Sequence, residues 1–355
     1  MSKNVVHVVG TGTIGEPLIA LFCKFQKELG IDEVTFTKKT ATLTDRSKVQ
    51  ALINHGAKLV ADAEGTKSFN SIGLKPVYSV EQALEQATVV VDCTPIGNQN
   101  KAEVYEKYLN NTKGFIAQGS EFGFGKMYAR GINDETLVAG KDKFVQVVSC
   151  NTHNLSILVK SIGMNDGKNP EAFDHARFVC IRRSNDISQD KGFVPGLQVD
   201  KHDEEQYGTH HAHDAHELFK TMGMDVKLFS SSLKTNTQYM HTVWFHIKTT
   251  KPVTKDEILN RLHENDLVAV THKSSSNTVF SFGRDHGHYG RILNQTVLVE
   301  NTLEVVDGTN VYGWCFTPQD GNSLLSSIAA TEFFMYPNDY SERIQCLKPY
   351  FFNEV

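Results

Sequence analysis

From residue 5 to residue 150 the chain alternates short apolar, β-branched runs with stretches of helical character. VVHVVG (5–10), EVTFT (33–37), AKLVAD (57–62), TVVVDCTP (88–95), FIAQGS (115–120) and FVQVVSC (144–150) read as strands. Residues 16–29, 45–55 and VEQALEQA (80–87) read as the helices between them. VVHVV and VVVD are unbroken apolar runs, as expected of strands covered on both faces. Strands separated by helices need crossovers, which leave the strands parallel. The pattern predicts a doubly wound α/β domain over residues 1–149.

Beyond Cys150 the texture changes. LSILVKSIG (155–163) is helix-like, and longer β-prone stretches follow: ARFVCIRR (176–183), MDVKLFS (224–230), HTVWFHIKT (241–249) and TVLVENTLEVVD (296–307). Alternation in HTVWFHIK and TLEVV fits strands with one covered face, so a largely antiparallel sheet is expected in an α+β domain over 150–315. NSLLSSIAATEFF (322–334) reads as a helix. The segment 316–355 is expected to be helical and to pack back on the first domain.

Composition narrows the class. A length of 355 residues fits about two domains of roughly 150 residues each. With 36 basic and 41 acidic side chains the formal net charge is −5, unlike the basic face of a nucleic-acid binder. Glycine and proline contents are ordinary or low and aromatics reach 10%, which argues against disorder. No apolar run approaches the roughly 18 residues of a membrane span. The start, MSKNVVHVVGTG, lacks the basic and long apolar segments of an export signal. Six scattered cysteines without CxxC spacing read as reduced thiols, so a cytoplasmic location is expected.

Between a predicted strand and a predicted helix stands GTGTIG, with Gly10, Gly12 and Gly15. In that context it reads as a dinucleotide-binding turn of Rossmann type. Gly10 permits the tight turn, Gly12 lets the backbone approach a pyrophosphate, and Gly15 lets the helix lie close to the sheet. The amides of Thr13 and Ile14 are expected to point at the phosphate from the helix N-terminus. An acidic residue at the end of the second strand would favour NAD, but the chain reads Thr37-Lys38-Lys39-Thr40 there. Either the two ammonium groups hold a 2′-phosphate, making NADP the preferred cofactor over NAD, or they are solvated surface charges.

Cys150, in VVSCNTHNL, falls at the junction of a buried-looking strand and a helix. A lone cysteine is usually inert core. At a helix N-terminus beside the ligand crevice of such a sheet, however, a lowered thiol pKa and a nucleophilic role are expected. His210, His211, His213 and His216 form a run that could bind a phosphate, a metal or nothing. No CxxC or HExxH accompanies it, and no metal is expected. His286 and His288 read as solvated loop residues.

VVSCNT and GTGTIG, with DCTPIGNQNKAEVYEKY (92–108), QGSE (118–121), RRSND (182–186), THHAHD (209–214), QYMHTVWFHI (238–247) and PQDGN (318–322), occur in order over nearly the whole chain. Together they resemble the archaeal-type (type II) glyceraldehyde-3-phosphate dehydrogenases. The resemblance implies a phosphorylating aldehyde dehydrogenase acting on glyceraldehyde 3-phosphate and inorganic phosphate, a homotetramer, and dual or NADP-leaning cofactor use. It implies Cys150 as nucleophile and His241 as its base. Ser149, Asn151, His210 and His211 are implied at the substrate and phosphate, and Gly119, Arg183 and Gln319, with Thr13 and Ile14, at the cofactor. Because two anionic groups must be held, Thr152, Arg182 and Arg183 are also expected as donors near the substrate and phosphate. His153 and Asn154 stand where the family has Thr and Gly. The stretch from Cys150 to His241 is longer than usual, and THHAHDA replaces a Gly-Pro pattern.

Such a site implies thiol attack on the aldehyde, a thiohemiacetal, hydride loss to nicotinamide, and a thioester cleaved by phosphate. The Cys150 amide and the Asn151 side chain are the candidate oxyanion donors. With NADPH the expected physiological direction is gluconeogenic reduction. Another semialdehyde or acyl-phosphate dehydrogenase, or a nucleotide-binding protein without turnover, shares the same architecture.

Overall fold

The apolar runs of the N-terminal half pair side by side in one sheet. The structure, a computed structural model, describes residues 3–119, 121–187, 189 and 192–355. It divides into one unit of Met1–Tyr128, Leu137–Val147 and Ser326–Lys348, and another of Ala129–Thr136, Val148–Leu325 and Pro349–Val355. In the first unit β1 (Val5–Val9), β2 (Glu33–Thr37), β3 (Lys58–Val60), β4 (Val89–Asp92), β5 (Gly114–Gln118), β6 (Lys126–Tyr128) and β7 (Phe144–Val147) line up as β3-β2-β1-β4-β5-β7-β6. Every pairing is parallel. The strand order reverses between β1 and β4, which creates a crevice at their carboxyl ends.

Helices α1 (Gly15–Lys24), α2 (Leu43–Asn54), α3 (Ala63–Ser71), α4 (Val80–Gln86) and α5 (Gly97–Glu103) belong to this unit. α1 ends at Lys24, and turns carry 25–30 in place of the longer helix expected. Local caps start α2, α3 and α4: Thr42 accepts from the Asp45 amide, Asp62 from Gly65, and Ser79 forms a capping box with Gln82. His7 is buried in β1, yet its ring nitrogens meet the hydroxyls of Thr35 at 2.8 Å and Thr37 at 2.9 Å. Burial lowers its pKa to about 4, so the ring is neutral at physiological pH. The DCTPIGNQNKAEVYEKY stretch also finds a structural purpose. Asp92 accepts from Tyr105 Oη (2.6 Å), Asn100 Nδ2 (2.7 Å) and both the amide and the hydroxyl of Thr94, which pins the turn after β4.

In the second unit β8 (Phe173–Arg182), β9 (Gln198–Val199), β10 (Lys227–Lys234), β11 (Thr242–Thr249), β12 (Val268–Thr271), β13 (Thr296–Val306) and β14 (Asn310–Phe316) run β12-β13-β14-β11-β8-β10-β9. Four of the six pairings are antiparallel, as expected of a largely antiparallel sheet, while β8–β10 and β12–β13 are parallel and make the sheet mixed. The reason lies in helices between those strand pairs: α7 (His210–Lys220) and α9 (Ser276–His286) serve as crossovers. The unit also holds α6 (Cys150–Leu158) and α8 (Lys255–Glu264), while α10 (Gly321–Met335) is shared along the chain by both units. One core cluster joins Met240, Ala269, Val279, Ile292, Val297, Val299, Phe316 and Val355. His286 is exposed at the end of α9, but His288 is buried with its ring against Tyr350, so the solvated-loop reading fails for it. No helix among the described residues is long and apolar enough to cross a membrane.

Candidate active site

At the carboxyl end of β1, Gly10 adopts a φ of +94°, which only glycine tolerates readily. A Cβ on Gly15 would lie 2.1 Å from the Gly10 carbonyl oxygen, so the turn folds flat against the start of α1 only with glycine there. Gly12, by contrast, is exposed, and a Cβ on it would meet nothing within 4 Å. Thr13 and Ile14 lead from this turn into α1, whose first amides receive no side-chain cap. A glycine turn with open space above it, at the switch point of a parallel sheet, fits a dinucleotide pyrophosphate. Gly119 follows β5 at the same edge of the sheet, with a φ of +70° and open space beside it. Ser120 of the QGSE stretch lies outside the described residues. Lys39 is exposed, whereas Lys38 is paired with Asp45 at 2.8 Å.

In the second unit a polar cavity of about 300 Å³ gathers Ser149, Cys150, Asn151, Arg182, Arg183, His210, His211 and His241 with Lys234, Asp186 and a few neighbours. The fold brings these sequence-distant groups together from the starts of α6, α7 and β11 and the ends of β8 and β10. β7 delivers the chain to α6, which opens with Cys150; β8 ends at Arg182; and His241 immediately precedes β11, which pairs with β8. Ser149 caps α6 by accepting from the Thr152 amide at 3.3 Å, and its hydroxyl meets the Thr152 hydroxyl at 2.8 Å. Thr152 itself is fully buried and is not among the cavity-lining residues. Gln319 is likewise buried and outside that lining, with both amide atoms unpartnered.

The orientation of Asn151 is set from a distance. Thr317 donates to Asn151 Oδ1 at 2.9 Å while accepting from Asn154 Nδ2 at 2.7 Å, which leaves Asn151 Nδ2 as the donor beside Cys150. Asn322 Nδ2 holds the Cys150 carbonyl at 2.9 Å. The departures from the family pattern are absorbed in the same way: Asn154 serves Thr317, and His153 Nδ1 meets the Ser149 carbonyl at 2.9 Å. Arg183 is buried and paired with Asp320 and Asp186, and its amide donates to His241 Nδ1 at 3.0 Å. Burial, reinforced by Arg183 and His211, drives His241 well below its ordinary pKa. The neutral ring therefore carries its proton on Nε2 and acts as a hydrogen-bond donor. This tautomer differs from the proton acceptor expected of a general base.

The thiol also departs from expectation. Burial pushes Cys150 up to about 12, Asp320 and Asp186 act in the same direction, and Arg183 and the Asn151 amide oppose them. Desolvation thus outweighs the α6 N-terminus, which alone would favour thiolate. The protein without ligands is expected to react with iodoacetamide at a rate that climbs about tenfold per pH unit between roughly pH 7 and pH 10. A plateau near neutral pH in that titration would instead reveal a preformed thiolate.

The histidine run proves to be the first turns of α7. His210 and His211 have ring centroids 4.0 Å apart at the edge of the cavity, and both His211 nitrogens are buried without a partner. Thr209 provides no side-chain cap, since its hydroxyl is engaged with Ser230, which also accepts from the Ala212 amide. His213 instead stacks on Tyr207, and His216 bonds the Val226 carbonyl at 2.9 Å. Among the described residues no group of three or more His, Cys, Asp or Glu side chains is arranged to hold a metal. Sequence reasoning missed Lys234, Asp320, Thr317 and Asn322. Only PQDGN, with Asp320 and Asn322, contained a hint of them.

Together these features define an α/β protein with a Rossmann-like parallel sheet, whose second unit carries a cysteine–histidine pocket lined with cationic and hydrogen-bonding side chains. The chain matches no protein-family profile. It is similar over most of its length to archaeal proteins named glyceraldehyde-3-phosphate dehydrogenase. That of Archaeoglobus fulgidus is 27% identical over 267 residues, covering 74% of this chain and 72% of that protein. That of Sulfolobus acidocaldarius is 25% identical over 314 residues, with 85% and 84% covered. That of Methanobacterium formicicum is 27% identical over 319 residues, with 86% and 87% covered.

Proposed function

We propose that the chain is a phosphorylating glyceraldehyde-3-phosphate dehydrogenase of the archaeal type, accepting NADP in preference to NAD. The observation that carries the reading is Cys150 at the start of α6, in one cavity with Asn151, His241 and His211. The similarity to archaeal enzymes of that name over most of the chain supports it. In this reading the Cys150 thiol loses its proton to solvent and its sulfur bonds to the aldehyde carbon. Asn151 Nδ2 and His241 Nε2–H then donate to the oxyanion of the thiohemiacetal. A bound nicotinamide supplies the hydride acceptor that leaves a thioester on Cys150. Phosphate, held by His211, His210, Arg182 and Lys234, attacks the thioester carbonyl and expels the thiolate as acyl phosphate departs. Two phosphate-bearing ligands need this many cationic and donor groups. Gln319 and Arg183 are assigned to the cofactor, and the two unpartnered amide atoms of Gln319 suit a carboxamide. The same reading carries a cytoplasmic homotetramer.

Absorbance at 340 nm tests it, with glyceraldehyde 3-phosphate and either cofactor, in the presence and absence of phosphate. Phosphate-dependent reduction, faster with NADP, is expected. Reduction independent of phosphate rejects the acyl-phosphate route, and no reduction with either cofactor rejects the substrate.

A further inference from the structure

The charges at the end of β2 do not stand free. Lys38 directly follows the last residue of β2, where a doubly wound sheet receives the adenosine ribose. Its ammonium group lies 2.8 Å from Asp45 Oδ2, and the Lys48 ammonium group lies 3.2 Å from Asp45 Oδ1. Thr42 donates to Asp45 Oδ2 at 3.0 Å. One carboxylate is therefore shared by two cations. Lys38 is the least exposed of the three, at 13% against 25% for Lys48 and 33% for Asp45. Lys38 and Thr42 hold the Asp45 carboxyl at about 2, fully ionised at physiological pH.

Asp45 occupies the third position of α2, and comparison with two other helices shows what is unusual about it. At the same position of α4 and α8, Gln82 and Glu257 reach back to the N-cap amide and complete a capping box. Asp45 does not; the Thr42 hydroxyl alone serves the cap, and the carboxylate turns to the two lysines. The acid missing from the end of β2 is thus supplied by α2, beside the cations.

We propose that Asp45 is the cofactor-selecting residue of this protein, acting through Lys38 and Lys48; the proposal rests on the nicotinamide dinucleotide reading above. With NAD, the carboxylate, held by both lysines, accepts from an adenosine ribose hydroxyl. With NADP, the 2′-phosphate takes the two ammonium groups and meets repulsion from Asp45. The site is thereby poised to admit both cofactors, with Asp45 opposing the phosphorylated one. Lys48 is a phosphate ligand that the strand-end pattern did not indicate.

Equilibrium binding of NADP and NAD to the full-length protein, followed by calorimetry, tests this without turnover. Asp45→Asn keeps the side-chain shape and removes the charge. It is expected to lower the Kd for NADP by about tenfold and to raise that for NAD. Lys48→Met is expected to weaken NADP several-fold and NAD by clearly less, an outcome that does not depend on how α2 tolerates changes at Asp45. If both cofactors weaken in parallel in Asp45→Asn, Asp45 is a structural residue of α2 and the proposal is overturned. If both bind the unaltered protein and neither substitution moves their ratio, the proposal falls while the cofactor reading stands. If neither cofactor binds the unaltered protein, the cofactor reading fails first and this proposal with it.

Discussion

Replacing Cys150 by serine is expected to lower phosphate-dependent cofactor reduction by about four orders of magnitude or more while leaving cofactor affinity intact. The physical reason is the nucleophile. A hydroxyl ionises far less readily than a thiol, and an ester passes its acyl group to phosphate far less readily than a thioester. The substitution is mild for the fold. Cys150 is half-buried at the first position of α6, its carbonyl is held by Asn322, and the cap is provided by Ser149, so none of these contacts needs sulfur. The melting temperature is therefore expected to stay within a few degrees of the unaltered protein. Initial rates, a thermal melt and a cofactor titration on the same preparation check all three statements. Activity within tenfold of the unaltered protein refutes covalent catalysis by Cys150.

The second large effect is expected from Gly15→Ala. The added methyl would lie 2.1 Å from the Gly10 carbonyl oxygen and 2.9 Å from its carbonyl carbon, with the Cys93 Cβ at 3.4 Å on another side. Backbone cannot yield as a flexible side chain can, so the turn between β1 and α1 must open. Overpacking of this kind costs roughly 1–3 kcal/mol of stability. The larger consequence is for ligand binding, because the moved atoms belong to the turn that faces the proposed pyrophosphate. Affinity for both dinucleotides is expected to fall by about a hundredfold. Gly12→Ala makes the contrast: its Cβ meets nothing, so stability holds and any loss of affinity comes from the space it takes. A melt and a titration of the two variants separate these effects. Unchanged binding in Gly15→Ala places the dinucleotide elsewhere.

Much of the fold was legible because burial on both faces leaves an unmistakable trace. VVHVV and VVVD read as strands covered on both faces, and the strands they form, β1 and β4, pair in parallel. The crossover helices of the second unit were harder to read. In α7 the buried positions Ala212, Ala215, Leu218 and Phe219 have helical spacing, but four histidines among them drew attention to chemistry instead of periodicity. Once α7 and α9 are helices, two of the six strand pairings must be parallel. α8 announced itself through Thr254 and Glu257, a capping box written in the sequence, although no helix was expected there.

The candidate site divides along the same line. Residues whose placement is local were readable: the glycine turn follows directly from β1, and Cys150 from the end of β7. Groups joined across long stretches of chain were not, because no periodicity links them. Thr317 aims Asn151 from 166 residues away, and Asp320 pairs with Arg183 from 137 away. Asp45 lies only seven positions from Lys38, yet its pairing with both Lys38 and Lys48 depends on the fold of the turn between β2 and α2.

By itself the sequence determined the alternating architecture, the glycine turn and the cysteine at a strand–helix junction, since each follows from short-range sterics and the repeating burial of apolar side chains. Tertiary structure alone decided the protonation of that cysteine and the tautomer of His241. Both depend on how much water the folded chain removes and on which distant amide or carboxylate it puts in water's place.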